Sequence, residues 1–118
     1  MAQTKKAQNQ EVVCPLSDIE EIILSVLSGQ KELYGLQISK TIEVGSEGRL
    51  QIGFGSLYPA LRRLESRKLV ESRWDNQESS ERGGARRRYY KITSSGEESL
   101  RDKREVRESI ANCEPVIA

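Results

Sequence analysis

The sequence contains no histidine. Histidine is the commonest general base in enzymes and the commonest metal ligand, so its absence argues against acid-base catalysis and against a zinc centre. The polar side chains also cluster without pairing a nucleophile with a base. We therefore expect a protein that is not an enzyme and that needs neither a cofactor nor a metal ion.

Cysteine is scarce, because the chain has only Cys14 and Cys113, near its opposite ends. In a reducing compartment such residues are usually buried thiols rather than a disulfide. No apolar stretch approaches the ~18 residues of a membrane span, and the N-terminal MAQTKKAQNQ lacks the hydrophobic core of a signal peptide. We expect a cytoplasmic protein that has no membrane partner.

The composition predicts one small domain. Hydrophobic residues make up 36% and charged residues 31% of the 118 residues, which leaves room for a modest core and a dimerising appendage. A second domain does not fit, and a partner chain would help to bury apolar surface.

The net charge of +1 conceals an uneven distribution. Residues 1–48 hold 4 basic and 7 acidic side chains, and residues 92–118 hold 4 and 6, so both ends are acidic. Residues 49–91 hold 11 basic and 5 acidic side chains, a net charge of +6. The positive charge therefore lies in one contiguous segment, which is typical of a protein that binds a polyanion.

Two helices are predicted in the first acidic segment. Ser17 and Glu20 form a capping box, and the apolar residues that follow recur at helical spacing up to Gly29, which suits a helix C terminus. A second, short helix is predicted over residues 34–43, with apolar positions at Leu36, Ile38 and Ile42.

A third helix is predicted over residues 56–67. Ser56 is its expected N-cap, and Pro59 is expected in the first turn, where its missing N–H removes no helical hydrogen bond. The stripe that must face the core consists of Leu57, Leu61 and Leu64.

Two segments of β-like composition follow, over residues 69–74 and 87–92. The residues between them, 75–86, are rich in Ser, Glu, Gly and Arg and predict a long hairpin loop. Three helices followed by a β-hairpin predict an α+β fold that is mainly α, the winged helix-turn-helix. In that fold the third helix enters the major groove of double-stranded DNA, and the hairpin, or wing, touches the flanking backbone.

A fourth helix is predicted from Ser94, in a capping box with Glu97, to about Asn112. At 100° per residue, Leu100 points about 80° to 140° away from the direction that three later residues share. These three residues are Val106, Ile110 and Cys113. We expect Leu100 to pack on its own domain and the three to form the interface of a symmetric homodimer. The alternative is that the three fold back on the first helix of the same chain.

The predicted DNA contacts lie on the third helix and in the wing. Arginine forms paired hydrogen bonds with a guanine edge or a phosphate, tyrosine can donate to a phosphate, and glycine lets the backbone approach DNA. The helix contributes Ser56, Tyr58, Pro59, Arg62, Arg63 and Arg67, and the wing contributes Arg82, Gly83, Gly84, Arg86, Arg87 and Arg88.

Alternatives remain for both groups of arginines. Strand alternation places Arg86 and Arg88 on one face and Arg87 on the other, so not all three can touch DNA, and the run could be merely solvated. On the helix, Arg62 and Arg63 could pair with Glu65 or Ser66 neighbours.

Several motifs together resemble the PadR family of transcriptional regulators. They are Tyr34-Gly35-Leu36-Gln37-Ile38, the string GSLYPALRRLE over residues 55–65, Trp74, Gly83-Gly84 through Arg88-Tyr89-Tyr90, and Thr93 with Gly96. The resemblance implies a winged-helix dimer that binds operator DNA, usually as a repressor. Among short members the chain is similar to a clock-associated cyanobacterial regulator, which would imply control of a circadian clock gene.

We thus expect a flexible arm over residues 1–15, a winged-helix domain over 16–93, and a dimerisation helix and tail over 94–118. Many relatives have a longer C-terminal region, so a small-molecule effector pocket is not expected here. The rival hypothesis is a protein-interaction adaptor built on a winged helix, and the charge of the middle segment argues against it.

Overall fold

The computed structural model describes residues 15–75 and 86–117. Of the predicted arm, residues 1–14, which include Cys14, lie outside the described residues. In chain order, the elements are α1 (Asp18–Leu27), β1 (Glu32–Tyr34), α2 (Gly35–Gly45), α3 (Phe54–Ser66), β2 (Val70–Trp74), β3 (Arg88–Ile92) and α4 (Ser94–Ala111).

The three strands form one antiparallel sheet in the order β1-β3-β2. In its register Tyr89 of β3 lies between Tyr34 of β1 and Arg73 of β2. The α+β winged helix-turn-helix fold is confirmed, with one strand more than predicted. Strand β1 has three residues, too few for an alternating pattern to be visible in the sequence.

The core lies between the first three helices and the inner face of the sheet, and α4 adds Leu100 to it. The leucine stripe of α3 is confirmed, since Leu57, Leu61 and Leu64 are fully buried. In α2, Ile38 and Ile42 are buried as well, whereas Leu36 is 48% exposed in the first helical turn.

The predicted start and end of α1 are confirmed. The Glu20 amide donates to Ser17 Oγ at 3.2 Å, and the Ser17 amide donates to Glu20 Oε1 at 2.9 Å. Just past the helix, Gly29 has a φ of +92°, in the left-handed region that favours glycine.

The predicted start of α3 is wrong by two residues. Gly53 is the N-cap, and its carbonyl accepts a hydrogen bond from the Leu57 amide at 2.9 Å, so Ser56 lies within the helix. Pro59 therefore lies beyond the first turn, where it has no N–H to donate to the carbonyl of Gly55.

The predicted capping box of Ser94 and Glu97 is also wrong. Thr93 is the N-cap of α4, and its Oγ1 accepts from the Gly96 amide at 3.0 Å and donates to the Lys68 carbonyl at 2.8 Å. The Glu97 carboxylate instead accepts hydrogen bonds from the end of α1. Its donors are Ser28 Oγ at 3.0 Å and the Gly29 amide at 3.1 Å.

Helix α4 packs on its own domain through its first two turns. Leu100 is buried, as predicted, whereas Val106 is 57% and Ile110 68% exposed and the Cys113 thiol is exposed too. The alternative that these three residues fold back on α1 is therefore wrong, as is the expectation of a buried thiol at Cys113 within one chain.

Polar contacts join the outer part of α4 to α1. Arg107 Nη2 lies 2.9 Å from Asp18 Oδ1, and Arg104 Nη2 donates to Ser25 Oγ at 2.9 Å.

Within residues 15–75 and 86–117, no helix is long and apolar enough to cross a bilayer.

Candidate nucleic-acid interface

The side of α3 that faces away from the leucine stripe is open to solvent. Ser56 and Arg62 are exposed, Tyr58 is about one-third exposed, and Pro59 is partly buried. Tyr58 and Arg62, one turn apart, share one side of the helix, whereas Ser56 points about 160° away from Tyr58 at 3.6 residues per turn. Arg62 forms no hydrogen bond, ion pair or ring contact with any residue that the structure describes.

Phe54 belongs to the same surface, and the sequence analysis missed it. Its side chain is half exposed, and its ring centroid lies 5.5 Å from that of Tyr58, one turn further along α3. A helix that is predicted to start at Ser56 leaves Phe54 outside it. The spacing of four residues between the two aromatic rings was the signal that could have placed it on the helix.

Arg63 and Arg67 both pair with α1, and of the two the Arg63 side chain stays 52% exposed. Arg63 Nε lies 3.1 Å from Glu20 Oε2, and Arg67 Nη1 lies 3.5 Å from Glu20 Oε1. The Glu20 side chain is only 5% exposed, and its Oε1 also accepts the Ser17 amide. The predicted alternative of pairing within α3 is wrong for Arg63, since its partner lies 43 residues earlier.

The charge state of Glu20 follows from these contacts. Burial raises the pKa of the Glu20 carboxyl. Hydrogen bonds from the Ser17 amide and the Arg63 guanidinium, with the charges of Arg67 and Arg63, outweigh burial and hold the pKa below its usual value of 4.5. Glu20 is therefore ionised at neutral pH, as an acceptor between two arginines.

The wing arginines rest against aromatic rings. Arg86 and Arg88 lie over Trp74, with Cζ 5.5 and 4.9 Å from the ring centroid, and Arg87 lies over Tyr34 at 4.4 Å. The predicted alternation of the three is confirmed, and they are not a merely solvated run. The other predicted wing contacts, Arg82, Gly83 and Gly84, lie outside the described residues.

Glu65 joins α3 to the base of the wing. Its Oε2 accepts a hydrogen bond from Ser72 Oγ at 2.6 Å and lies 3.7 Å from Arg88 Nη2. Since α3 contacts both strands of the wing, β2 and β3, through this carboxylate, the exposed side of α3 and the base of the wing are neighbours. Arg73 takes no part, because Glu32 binds it at 2.8 Å on the opposite face of the sheet.

A family model described as "Transcriptional regulator PadR-like family" matches residues 23–102. The chain belongs to the PadR-like family. The predicted family resemblance is thereby confirmed, and with it a role as a DNA-binding regulator of transcription. The matched residues run from the middle of α1 to the third turn of α4, so they include both candidate DNA-contacting elements.

Solved structures agree with this assignment. A transcriptional regulator from Clostridium thermocellum, Cth-833, is 33% identical with a TM-score of 0.67, over 77% of this PadR-like chain and 83% of that one. A PadR family transcription regulator from Clostridium difficile R20291 is also 33% identical, with a TM-score of 0.65. The match covers 80% of this chain and 92% of that one. Bacillus subtilis PadR, solved in complex with operator DNA, shares the fold at 20% identity, with a TM-score of 0.64 over 87% and 52%.

Proposed function

We propose that this protein is a sequence-specific repressor of transcription that binds double-stranded operator DNA as a homodimer. The observation that carries the proposal is the junction at Glu65. It sets the exposed side of α3, with Arg62 and Tyr58, beside the base of the wing, with Arg86 and Arg88. A helix that enters a major groove can thus be flanked by a basic hairpin at the phosphate backbone.

The DNA-binding part is tested with duplexes selected from a random-sequence pool and with the DNA upstream of the protein's own gene. We expect mobility-shift titrations to give tighter binding to selected duplexes than to mixed-sequence DNA, and affinity to fall steeply with salt as counterions are released. Repression is tested by placing a selected duplex in a reporter promoter. Capture of a protein partner together with binding that ignores DNA and salt would favour the adaptor instead.

The dimer part rests on the exposed apolar side of α4, where Val106, Ile110 and Cys113 share one direction. A two-fold dimer brings the same patch of both chains together, which would bury these side chains. We expect light scattering to give the mass of a dimer for wild type and of a monomer for Ile110→Asp. Ala111→Asp, which places the same charge on another side of α4, is the matched control and should remain dimeric.

We also propose a target gene, which is a more specific claim than membership of the family. Control of a circadian clock gene is supported by the sequence resemblance alone, and none of the relatives described above bears on it. A deletion strain in which the neighbouring transcripts keep an unchanged daily rhythm would contradict this part without affecting the rest.

A further inference from the structure

We infer that Arg62 is the arginine of α3 that reads a base edge, and that Arg63 and Arg67 are positioning residues that hold α3 against Glu20. The inference rests on the proposed function. In the sequence the three arginines are equivalent candidates, because each lies outside the leucine stripe of the same helix.

Glu20 is what distinguishes them. Its carboxylate is buried at the start of α1 and has lost most of its hydration, so its charge must be balanced by nearby donors. The Ser17 amide, Arg63 and Arg67 are those donors. If Arg63 left Glu20 to contact a base, the buried Glu20 carboxylate would lose the shorter of its two ion pairs. The cost of leaving that charge less well paired opposes the movement.

Arg67 is further disfavoured by its place on the helix. It is the C-cap residue of α3, four residues beyond Arg63, and its side chain is 27% exposed. In helix-turn-helix proteins the N-terminal residues of the recognition helix contact the bases. Arg67 therefore lies further from those N-terminal residues than either Arg62 or Arg63 does.

Arg62 and Arg63 are both exposed, so Arg62 differs from Arg63 in its contacts and not in its exposure. Arg62 follows Tyr58 by one turn on the same side of α3, and no described residue engages its guanidinium. Its binding to a guanine edge would break no contact within the described part of the chain. A guanidinium matches the O6 and N7 acceptors of guanine with two parallel hydrogen bonds, which makes a guanine the base it would select.

Single-alanine variants test the assignment, with wild-type protein first used to select its preferred duplex. Each base pair of that duplex is then changed in turn, and affinities are measured for wild type, Arg62→Ala and Arg63→Ala. We expect Arg62→Ala to weaken binding to the selected duplex by about 10- to 100-fold, the range of one bidentate base contact. It should also erase the preference at one G·C pair and leave the thermal midpoint unchanged.

Arg63→Ala should behave differently. It should lower the thermal midpoint and weaken binding to all duplexes by a similar factor, with every base preference retained. Glu20→Gln should reproduce that pattern, and Arg63→Lys, which can still pair with Glu20, should recover part of the midpoint. The slope of the logarithm of the binding constant against the logarithm of the salt concentration should not change in Arg63→Ala. Loss of a phosphate contact would instead reduce the magnitude of that slope by about one.

Two results would overturn the inference. One is a base preference that is lost in Arg63→Ala and kept in Arg62→Ala, in a wild-type protein that discriminates among duplexes. The other is a wild-type protein that discriminates among no duplexes, which would contradict the proposed function at the same time. The selection experiment with wild-type protein therefore distinguishes failure of the Arg62 assignment from failure of the proposed function.

Discussion

The hydroxyl end of the Tyr58 side chain on α3 lies against Gly35, the first residue of α2. A Cβ atom built on Gly35 would lie 2.6 Å from Tyr58 Cζ and would overlap its hydroxyl oxygen. Only a residue without a side chain allows this approach, so Gly35 sets the position of a candidate phosphate donor on the neighbouring helix.

Gly35→Ala should displace Tyr58 and weaken DNA binding by about tenfold, the value of one hydrogen bond to a charged group. Mobility-shift titration against a selected duplex measures the loss. Gly45→Ala is the matched control at the other end of α2, because nothing lies within 4 Å of its Cβ position. Equal affinity of the two variants would show that the position of Tyr58 does not matter for binding.

Gly96→Ala should destabilise the whole domain. The added Cβ would overlap the Leu69 carbonyl oxygen and lie 2.6 Å from Ile92 Cγ1, so α4 would have to shift away from the sheet. We expect a loss of about 1–3 kcal/mol in the free energy of unfolding, typical of an overpacked site. Urea denaturation measures it against Ser95→Ala, the exposed neighbour, and identical midpoints would refute the expected clash.

Glu20→Gln should lower stability in a pH-dependent way. The pKa of Glu20 is below 4.5 in the folded protein, so the ionised carboxylate stabilises the fold above the unfolded-state pKa. That stabilisation is lost as the pH falls through the lowered value. We expect the variant to be less stable by about 1–3 kcal/mol at neutral pH, the range of hydrogen bonds to a charged group.

The difference between wild type and Glu20→Gln should shrink on acidification and vanish once Glu20 is protonated in both states. Urea denaturation at a series of pH values measures it. Glu71→Gln, at an exposed carboxylate on β2, is the control and should change stability little at any pH. A difference between wild type and Glu20→Gln that stays constant down to acidic pH would argue against an ionised, paired Glu20.

Trp74→Ala should loosen the base of the wing. Arg86 and Arg88 would lose the ring on which both lie, and each such contact contributes about 0.5–1 kcal/mol at an exposed site. We expect weaker binding to every duplex without a change of base preference, and Trp74→Phe should retain much of the wild-type affinity. Unchanged binding of Trp74→Ala at low and high salt would exclude this role for the indole.

Short-range features of the chain were predictable because they depend on residues within one helical turn or one strand. The capping box of Ser17 and Glu20, the leucine stripe of α3 and the alternation of Arg86 to Arg88 are all of this kind. The exact first residues of the helices were harder to predict from the sequence. Thr93, Ser94 and Ser95 are chemically equivalent caps, and only the Lys68 carbonyl, which binds Thr93 Oγ1, selects among them.

The sequence by itself determined the winged-helix class, the basic middle segment and the family. These follow from hydrophobic periodicity, charge and a contiguous motif, none of which requires distant contacts. The tertiary structure alone decided which arginines of α3 pair with Glu20 and which has no partner among the described residues. Ion pairs such as that of Glu20 with Arg63 join residues far apart in the chain, and side-chain direction on a helix does not reveal the partner that folding brings to it.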